Sequence, residues 1–332
     1  MHIPESLLDL KVAAGSAVIA AGGLAYGLRR LRDGPRDRTT VLMGSMAAFV
    51  FAAQMVTFPL FGLPASGHLM GGVLAAVLLG PWAGSTVIAA VLLVQCFLFG
   101  DGGFTALGAN FINMGMIGSA GGYAIYAPIR RAIGGRRGVL IGSMAAAWFS
   151  VILASGAFAI ELAGSRRGFA FLDVLGWMTL VHAAIGVGEA LITGMVVRFL
   201  LLTRPDLLDG PMPVDESAAS RWGGFALGGL GISVAVAIFL APLASEEPDG
   251  LQYVGGPGVL KFLPPEEEAP PAPIPNYAMP GLARYKAAAT AAAGAVGTLV
   301  VFGFGQVLSR AFAAGGPSGP VFRAKGASPD AA

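Results

Sequence analysis

The sequence predicts an all-α fold, a polytopic transmembrane helical bundle, and three observations lead to this prediction. Hydrophobic residues make up 55% of the 332-residue chain. Charged residues make up only 12%, whereas soluble domains usually carry about 25%. The apolar residues fall in long runs, and a helix needs about 20 such residues to cross a bilayer. We therefore expect a multi-pass protein of the cell membrane, in contact with lipid and without a nucleic-acid-binding surface.

About nine apolar runs define the expected spans in chain order. Many of the 50 glycines fall within them, as suits helices that pack closely in lipid. The third run is short and rich in glycine, so we expect that span to be tilted, broken or only partly spanning. The runs lie near residues 6–28, 39–61, 68–80, 84–100, 106–127, 138–162, 174–202, 222–243 and 287–308.

The basic residues of the connecting segments predict the orientation. With the N-terminus outside, 15 of the 21 Lys and Arg residues fall in inner segments, as the positive-inside rule requires. We therefore expect the N-terminus outside and the C-terminus inside. The first residues lack the basic region and cleavage site of a signal peptide, so we expect the mature chain to begin Met1–His2.

Composition divides the chain into two membrane regions. Residues 1–205 carry seven predicted spans and residues 222–310 carry two more, and we expect 206–221 to be a cytoplasmic linker. The second region includes an extracellular loop, 244–286, with a Pro- and Glu-rich stretch that is expected to be too polar to form a core. Residues 311–332 are expected to form a disordered cytoplasmic tail.

Only three histidines occur, and the predicted topology places all of them in the outer half of the membrane. His2 lies at the outer end of the chain, His68 lies in the turn "SGHLMGG", and His182 lies about two turns into the seventh span. Polar residues at membrane depth are candidates for function. The single cysteine, Cys96, lies within an apolar run, so no thiolate metal site is expected.

A histidine in second position offers three successive nitrogen donors: the Met1 amine, the His2 amide and the His2 imidazole. Loss of the amide proton closes a five- and a six-membered chelate ring, which fill three corners of a square plane. A nitrogen of His68 would complete the plane, a geometry typical of Ni(II) or Cu(II). Zinc prefers a tetrahedron and magnesium prefers oxygen ligands. The sequence thus predicts metal ligation by Met1, His2 and His68, with no catalytic or cofactor-binding residue.

Three polar side chains in the loop "GDGGFTALGANFINMG" are candidates for a supporting role. Asp101, Asn110 and Asn113 either satisfy loose backbone ends in a glycine-rich turn or hold His2 or His68 in the correct tautomer.

His182 is a further supporting candidate. We favour the interpretation that His182 is buried and hydrogen-bonded to a neighbouring helix over the alternative that it is a direct metal ligand. Glu189, deeper on the same helix, is either its structural partner or faces another subunit.

Four motifs resemble one known family in the same order: "MHIPESLL", "SGHLMGGVLAAVLLGPWAG", "LFGDGGFTALGANFINMGMIG" and "HAAIGVGEALITG". Together they are similar to the substrate-binding (S) component of energy-coupling-factor transporters for cobalt and nickel, over residues 1 to about 200. The resemblance implies that Met1, His2 and His68 hold the transported Ni2+ or Co2+. It also implies a membrane coupling (T) subunit and ATPase (A) subunits as partners, because this chain lacks a GxxxxGK[ST] nucleotide-binding loop.

The region beyond residue 220 resembles a second component. "EEPDGLQYV" and "PNYAMPGLA" are similar to a two-helix accessory subunit with a PDGLE-type motif, fused here, with Gln252 in place of the motif's glutamate. Because that subunit often accompanies nickel systems, the resemblance favours Ni2+ over Co2+.

Two other functions are weighed against a transporter subunit. An intramembrane metalloenzyme is disfavoured, because the chain has no HExxH and no paired carboxylates near the histidines. A secondary metal-ion carrier acting without an ATPase is the stronger alternative. It would be expected to show internal repeats and acidic residues at the bilayer midplane, for which Glu161 and Glu189 are the obvious candidates.

Overall fold

The computed structural model describes residues 2–32, 37–165, 168–208, 216–263, 272–282 and 284–314, which are mostly helical. Two short strands, β1 (Phe58–Pro59) and β2 (Ser66–Gly67), pair antiparallel in the turn after the second helix. In chain order the helices are α1 Leu10–Arg32, α2 Asp37–Gln54, α3 Gly72–Leu79, α4 Pro81–Phe99, α5 107–133, α6 Gly135–Gly164, α7 Phe171–Thr203, α8 216–243, α9 Gly250–Gly255 and α10 Lys286–Ala314.

Three of these helices are not α-helical throughout. Helix α4 ends in a π-helical turn, Gln95–Phe99, and α5 contains a longer π-helical segment, Phe111–Gly121. Helix α8 ends in the π-helical turn Val236–Leu240 and the 3₁₀ turn Ala241–Leu243. Such wide turns rotate the side chains that follow them relative to an unbroken α-helix.

The predicted all-α, multi-pass class is confirmed. Among the described residues, six helices are long and apolar enough to cross a membrane: α1, α4, α6, α7, 223–243 of α8 and 286–311 of α10. Each of the nine predicted runs coincides with a helical segment. The third segment, α3, has eight residues and is about 12 Å long, so the helix alone is too short to cross.

The extended chain before α3 and the hairpin after it explain this short helix. Residues 66–71 run into the protein before the helix begins, and Gly71 takes a left-handed φ of 77° at its N-cap. After α3 the chain reverses at Gly80, and a Cβ on Gly84 would lie 2.8 Å from the backbone nitrogen of Ala76. Helices α3 and α4 thus pack backbone against backbone, which only glycine permits at position 84.

Glu189 holds the start of α3. Its side chain is fully buried on α7, and its two oxygens accept the backbone N–H groups of Met70 at 2.5 Å and Gly71 at 2.9 Å. Amides at a helix start have no partner within the helix, so a carboxylate is a favourable cap. Neither expectation for Glu189 holds: it caps α3, while Nδ1 of His182 donates to Met178 O on its own helix, at 2.9 Å.

The C-terminal region is built into the same core as the first seven segments. Ser45 on α2 donates to the carbonyl of Ala226 on α8, at 3.0 Å. The Pro- and Glu-rich stretch of the predicted extracellular loop, "LKFLPPEEEAPPAPIPN", covers residues 260–276. The expectation that this stretch is too polar to form a core is wrong at its two ends. Phe262 and Ile274 are buried in the main hydrophobic cluster, because they are apolar residues flanking the Pro- and Glu-rich middle. That middle, 264–271, lies outside the described residues.

The predicted linker and the predicted tail are both too long, because helical residues extend into each of them. Of the linker 206–221, Leu207 is buried in a 3₁₀ turn and residues 216–221 already belong to α8, while 209–215 lie outside the described residues. Helix α10 continues to Ala314, three residues beyond the predicted start of the tail at 311. Residues 315–332 lie outside the described part.

Replacing Glu189 by glutamine tests the cap of α3. Glutamine offers one acceptor oxygen instead of two, so either the Met70 or the Gly71 amide loses its partner. We expect Glu189→Gln to lower the stability of the folded protein by about 1.5–3 kcal/mol, the usual contribution of a hydrogen bond to a charged group. Thermal unfolding in detergent measures the effect, and hydrogen exchange at the two amides localises it.

The matched control is Glu246→Gln, since that exposed carboxylate pairs with Lys286 at the surface. A melting temperature for Glu189→Gln equal to that of the control would show that the cap does not hold α3.

Candidate metal centre

Asn110 fixes the backbone of Ile3, next to His2, inside the protein. Its Oδ1 accepts from Ile3 N at 2.8 Å and its Nδ2 donates to Ile3 O at 3.2 Å. Gly103 N also donates to Ile3 O, at 2.8 Å, and the Ile3 side chain is fully buried. The predicted supporting residue Asn110 therefore acts on the backbone beside His2 and not on an imidazole.

This anchoring brings two of the predicted ligands together. The ring centroids of His2 and His68 are 5.6 Å apart, and the planes are inclined by only 20°. The His2 side chain is 8% exposed. Met1, the other predicted ligand, lies outside the described residues. Within the described part of the chain, no group of three or more His, Cys, Asp or Glu side chains is placed to hold a metal ion, so a centre here needs backbone or terminal nitrogens as further donors.

A relay of hydrogen bonds fixes the tautomer of His2. The carbonyl of Met70 can only accept, so the end of Gln54 that lies 3.0 Å from it is the amide nitrogen. Gln54 Oε1 then accepts from Gln95 Nε2 at 2.7 Å, and Gln95 Oε1 is left facing His2 Nε2 at 3.1 Å. That nitrogen must carry the proton. The lone pair of His2 is thus on Nδ1, the atom that closes the predicted six-membered chelate ring.

The backbone fixes the opposite tautomer in His68. Its Nδ1 lies 3.0 Å from Leu69 O, which can only accept, so Nδ1 carries the proton and the lone pair is on Nε2. Removal from water lowers the pKa of His2, so this imidazole is neutral at neutral pH, as metal ligation requires.

Asp101 lies at the nitrogen that the relay leaves unprotonated. Its Oδ1 is 3.4 Å from His2 Nδ1, and its Oδ2 accepts from the hydroxyl of Tyr277 at 2.5 Å. A carboxylate facing a lone pair attracts a cation to the space between them. Removal from water, together with the charge of Asp101, raises the pKa of Tyr277 well above its usual value, so the hydroxyl keeps the proton that it donates.

His182 lines a cavity together with His68, but its Nε2 does not bond to that histidine. Within the described residues its Nε2 is buried and has no hydrogen-bond partner. The expected bond to a neighbouring helix is wrong, because Nδ1 donates to Met178 on α7 itself. A cavity of about 20 Å³, enough for one water molecule, is lined by His182, His68 and Asp249 among others.

Asn113 is not brought to the histidines. Its Nδ2 donates to Glu161 Oε2 at 2.8 Å, and its Oδ1 has no partner among the described residues. In an α-helix Asn110 and Asn113 would lie on nearly the same face. The π-helical segment of α5 begins between them at Phe111, and its wider turns separate their directions.

The C-terminal region reaches the site through the segment "EPDGLQ". Ser66, two residues before His68, donates its backbone N–H to Pro248 O at 2.7 Å and its hydroxyl to Glu247 O at 2.8 Å. These bonds place Asp249 beside the turn that carries His68. Residues of the PDGLE-like region thus line the metal centre, which sequence reasoning did not anticipate.

The short helix α9 shows why glutamine is acceptable at position 252, where the PDGLE-type motif has glutamate. Asp249 Oδ1 accepts from Gln252 N at 2.8 Å, and Gln252 Oε1 accepts from Asp249 N at 3.0 Å. This reciprocal pair is a capping box at the start of α9. Glutamine and glutamate serve equally at its third position, so the substitution preserves the structure.

Four residues of the site were missed by sequence reasoning: Gln54, Gln95, Asp249 and Tyr277. The two glutamines carried a usable signal, since each is a lone amide within a long apolar run and such residues are rarely without a role. Tyr277 lies 176 positions from its partner Asp101, and nothing in the local sequence indicates the pairing.

Known proteins are similar to this chain over two ranges. The family model "Cobalt uptake substrate-specific transmembrane region" matches residues 2–207. A relative from Archaeoglobus fulgidus, provisionally named as the fused nickel transport protein NikMN, is 36% identical over 315 residues, covering 93% of this chain and 98% of the relative. The similarity therefore extends through the C-terminal region.

Other relatives carry the names of nickel and cobalt transport proteins. The fused nickel transport protein NikMN of Rhodobacter capsulatus is 33% identical, covering 63% of this chain and 64% of that protein. The cobalt transport protein CbiM of Geobacter sulfurreducens is 31% identical, covering 63% and 61%. A crystal structure of a truncated transition metal transporter matches with a TM-score of 0.56 and 29% identity, over 61% of this chain and 99% of that one.

Replacing Gln95 tests the relay that sets the tautomer of His2. Methionine has a similar size but cannot hold the Nε2 proton as an amide oxygen does. We expect Gln95→Met to weaken Ni2+ binding about 10- to 100-fold, the usual effect of losing a partner that orients a ligand. Gln54→Met, one bond further from His2, should weaken binding less. Titration of the purified, folded protein with Ni2+ measures both.

The control is Gln306→Met, since Gln306 lies near the far end of α10, away from the histidines. Wild-type affinity in a folded Gln95→Met protein would show that the relay does not prepare His2.

Proposed function

The chain belongs to the cobalt uptake substrate-specific transmembrane (CbiM/NikM) family with a fused NikN-like region, and from this membership we propose that it is the substrate-binding component of an energy-coupling-factor importer. Its substrate is a divalent transition metal ion, with Ni2+ favoured over Co2+. It is a transporter component and not an enzyme. Partner subunits, a membrane coupling protein and ATPases on the inner face, supply the energy of ATP hydrolysis.

One observation carries this proposal: the two histidines are held in opposite tautomers, each with the required lone pair. His2 presents Nδ1 and His68 presents Nε2. We propose that the Met1 amine and the His2 backbone nitrogen provide the remaining two donors of a square plane. That all-nitrogen geometry suits Ni(II), and Cu(II) is its natural competitor.

Charge balance gives Asp101 its part in the same proposal. A divalent ion bound to one deprotonated amide carries one net positive charge. Asp101, 3.4 Å from His2 Nδ1, supplies one negative charge beside it. A buried ion is tolerated only when it is paired, so the carboxylate favours a divalent ion in this site.

The remaining supporting residues act at a distance from the ion. We propose that Asn110 sets the depth at which the terminus enters, through its two bonds to Ile3. We assign His182 to a water molecule in the cavity that it shares with His68 and Asp249, where its buried Nε2 finds a partner.

The contacts of Glu161 and Glu189 favour an importer component over a secondary carrier. A carrier coupled to protons needs an acidic group that faces the transport path in turn from each side. Glu189 is engaged by the two amides of α3, and Glu161 by Asn113. Liposomes separate the two functions. We expect the chain alone to take up no 63Ni2+ down its gradient. Uptake should occur only when the coupling and ATPase subunits and ATP are also present.

We further propose that the third crossing is shared between extended chain and helix, with the N-terminus outside and the C-terminus inside. Residues 66–71 take the outer half, and α3 takes the inner half. Non-helical backbone is tolerated at membrane depth where protein satisfies it. Glu189, Gln54 and the 247–248 backbone supply those partners.

His68 and His182 make a matched pair for testing ligation. We expect His68→Ala to abolish high-affinity Ni2+ binding in a folded protein, because the fourth corner of the plane is lost. His182→Ala should change affinity by less than about tenfold, as expected for a residue that acts through water. Equilibrium dialysis with metal analysis measures both. Unchanged affinity in a folded His68→Ala protein would remove His68 from the site.

The register of the first two residues provides the sharpest test. One alanine inserted between Met1 and His2 places two amides between amine and imidazole, and moves the terminus by up to about 3.5 Å. Amine, two amides and imidazole already supply four nitrogens, so His68 has no corner to occupy. We expect the variant either to fail to bind Ni2+ or to trap it, and in both cases uptake by the full complex is lost.

Acetylation of the terminus should abolish binding, because the amine is lost as a donor. Native uptake by the inserted variant would mean that the N-terminal chelate does not exist.

A further inference from the structure

A tyrosine from the C-terminal region reaches the carboxylate beside His2. Tyr277 ends the 3₁₀ turn Pro275–Tyr277, and its hydroxyl donates to Asp101 Oδ2 at 2.5 Å. Its ring stacks on Phe99, with centroids 4.6 Å apart and planes inclined by 16°. The other oxygen of Asp101 faces His2 Nδ1. Tyr277, Asp101 and His2 thus form one continuous contact between the two regions of the chain.

The backbone around Tyr277 is held in an uncommon conformation. Asn276 and Tyr277 have φ angles of 52° and 55°, in the left-handed region that non-glycine residues rarely occupy. Such a conformation persists only where surrounding contacts enforce it. Ile274 N donates to Leu98 O at 2.9 Å and the Ile274 side chain is buried, so the turn is fixed to the end of α4 just before Tyr277.

We propose that Tyr277 is a positioning residue of the metal centre, which fixes the Asp101 carboxylate so that its Oδ1 faces the ion bound at His2 Nδ1. This inference rests on the proposed function and adds that the C-terminal region forms part of the substrate site. A carboxylate has two equivalent oxygens and rotates freely unless one is held. A hydroxyl bonded to Oδ2 leaves Oδ1 as the oxygen directed at His2.

The hydroxyl and the ring of Tyr277 have separable roles. Stacking on Phe99 needs only an aromatic ring, and phenylalanine supplies it equally well. The hydroxyl donates to a charged side chain, which makes a stronger and more directional bond than one to a neutral group. Replacing tyrosine by phenylalanine therefore removes the bond to Asp101 and keeps the packing.

The test compares Tyr277→Phe with Tyr285→Phe in the full chain with an untagged N-terminus. Tyr285 is 63% exposed and belongs to the same region, so it is a matched control. NiCl2 is the probe, with affinity measured by titration and ligand geometry by the visible d–d absorption of bound Ni(II). We expect Tyr277→Phe to weaken binding about tenfold and to shift the absorption band, as loss of an outer partner does. Tyr285→Phe should do neither.

A double-mutant cycle with Asp101→Asn shows whether Tyr277 acts through Asp101. If it does, Tyr277→Phe causes no further loss of affinity in the Asp101→Asn background. Should the single variant fold poorly, Asn276→Gly is added to both it and its reference, because glycine adopts the left-handed φ without strain.

The outcomes separate this inference from the proposed function. If the unmodified chain binds no Ni2+, the proposed function fails. If it binds Ni2+ and Tyr277→Phe has the same affinity and spectrum, only the role of Tyr277 is overturned. An equal loss in both Asp101 backgrounds would also overturn it, because the Tyr277 hydroxyl would then act through a group other than Asp101, such as the Gln95 side chain to which it is also hydrogen-bonded.

Discussion

The structure depends on one buried carboxylate. Glu189 accepts the amides of Met70 and Gly71, and this allows extended chain to run into the protein beside helices and then to begin a new one. The same short segment serves the metal centre twice. It places His68 two residues before Met70, and the Met70 carbonyl ends the relay through Gln54 and Gln95 to His2. A glutamate that touches neither histidine thereby determines the position of one and the tautomer of the other.

Much of the fold, and the pairing of His2 with His68, could be predicted from the sequence. Nine apolar runs give the helices because burial in lipid requires them, and the excess of glycine marks the short third one. Donor nitrogens are chemical features of single residues, so they can be recognised without a structure. This is why the sequence alone predicts Met1, His2 and His68 as candidate ligands. Tyr277 and Asp249 cannot be identified in this way, because their roles arise from contacts across 176 or more positions. Gln95 stands out as a lone amide in an apolar run, but its partner His2, 93 positions away, does not follow from that signal. Asn113 was misassigned because its helix changes from α to π one residue after Asn110.

The two regions of the chain are joined in one structure at the end of the bundle that carries His2 and His68. The ring centroids of Phe262 and Phe158 of α6 are 5.9 Å apart. Ser66 donates a hydrogen bond to the Pro248 carbonyl, and the Tyr277 hydroxyl donates one to Asp101. The region that resembles a separate subunit therefore contributes to the core and to the walls of the site. Fusion keeps these contacts at a high effective concentration without requiring a large interface in the membrane.

If the proposed centre binds a metal ion, the opposite tautomers of His2 and His68 also make it selective between linkage isomers. An imidazole can bind a metal through either nitrogen, and ions of the same charge and size differ in the pair that suits them. Here the relay leaves His2 only Nδ1, while the Leu69 carbonyl leaves His68 only Nε2. In the proposed centre, an ion that requires Nε2 of both rings would first have to break a chain of three hydrogen bonds that ends at the Met70 carbonyl, which can only accept. The proposed centre would thus reject a wrong mode of coordination before any difference in ionic radius is felt.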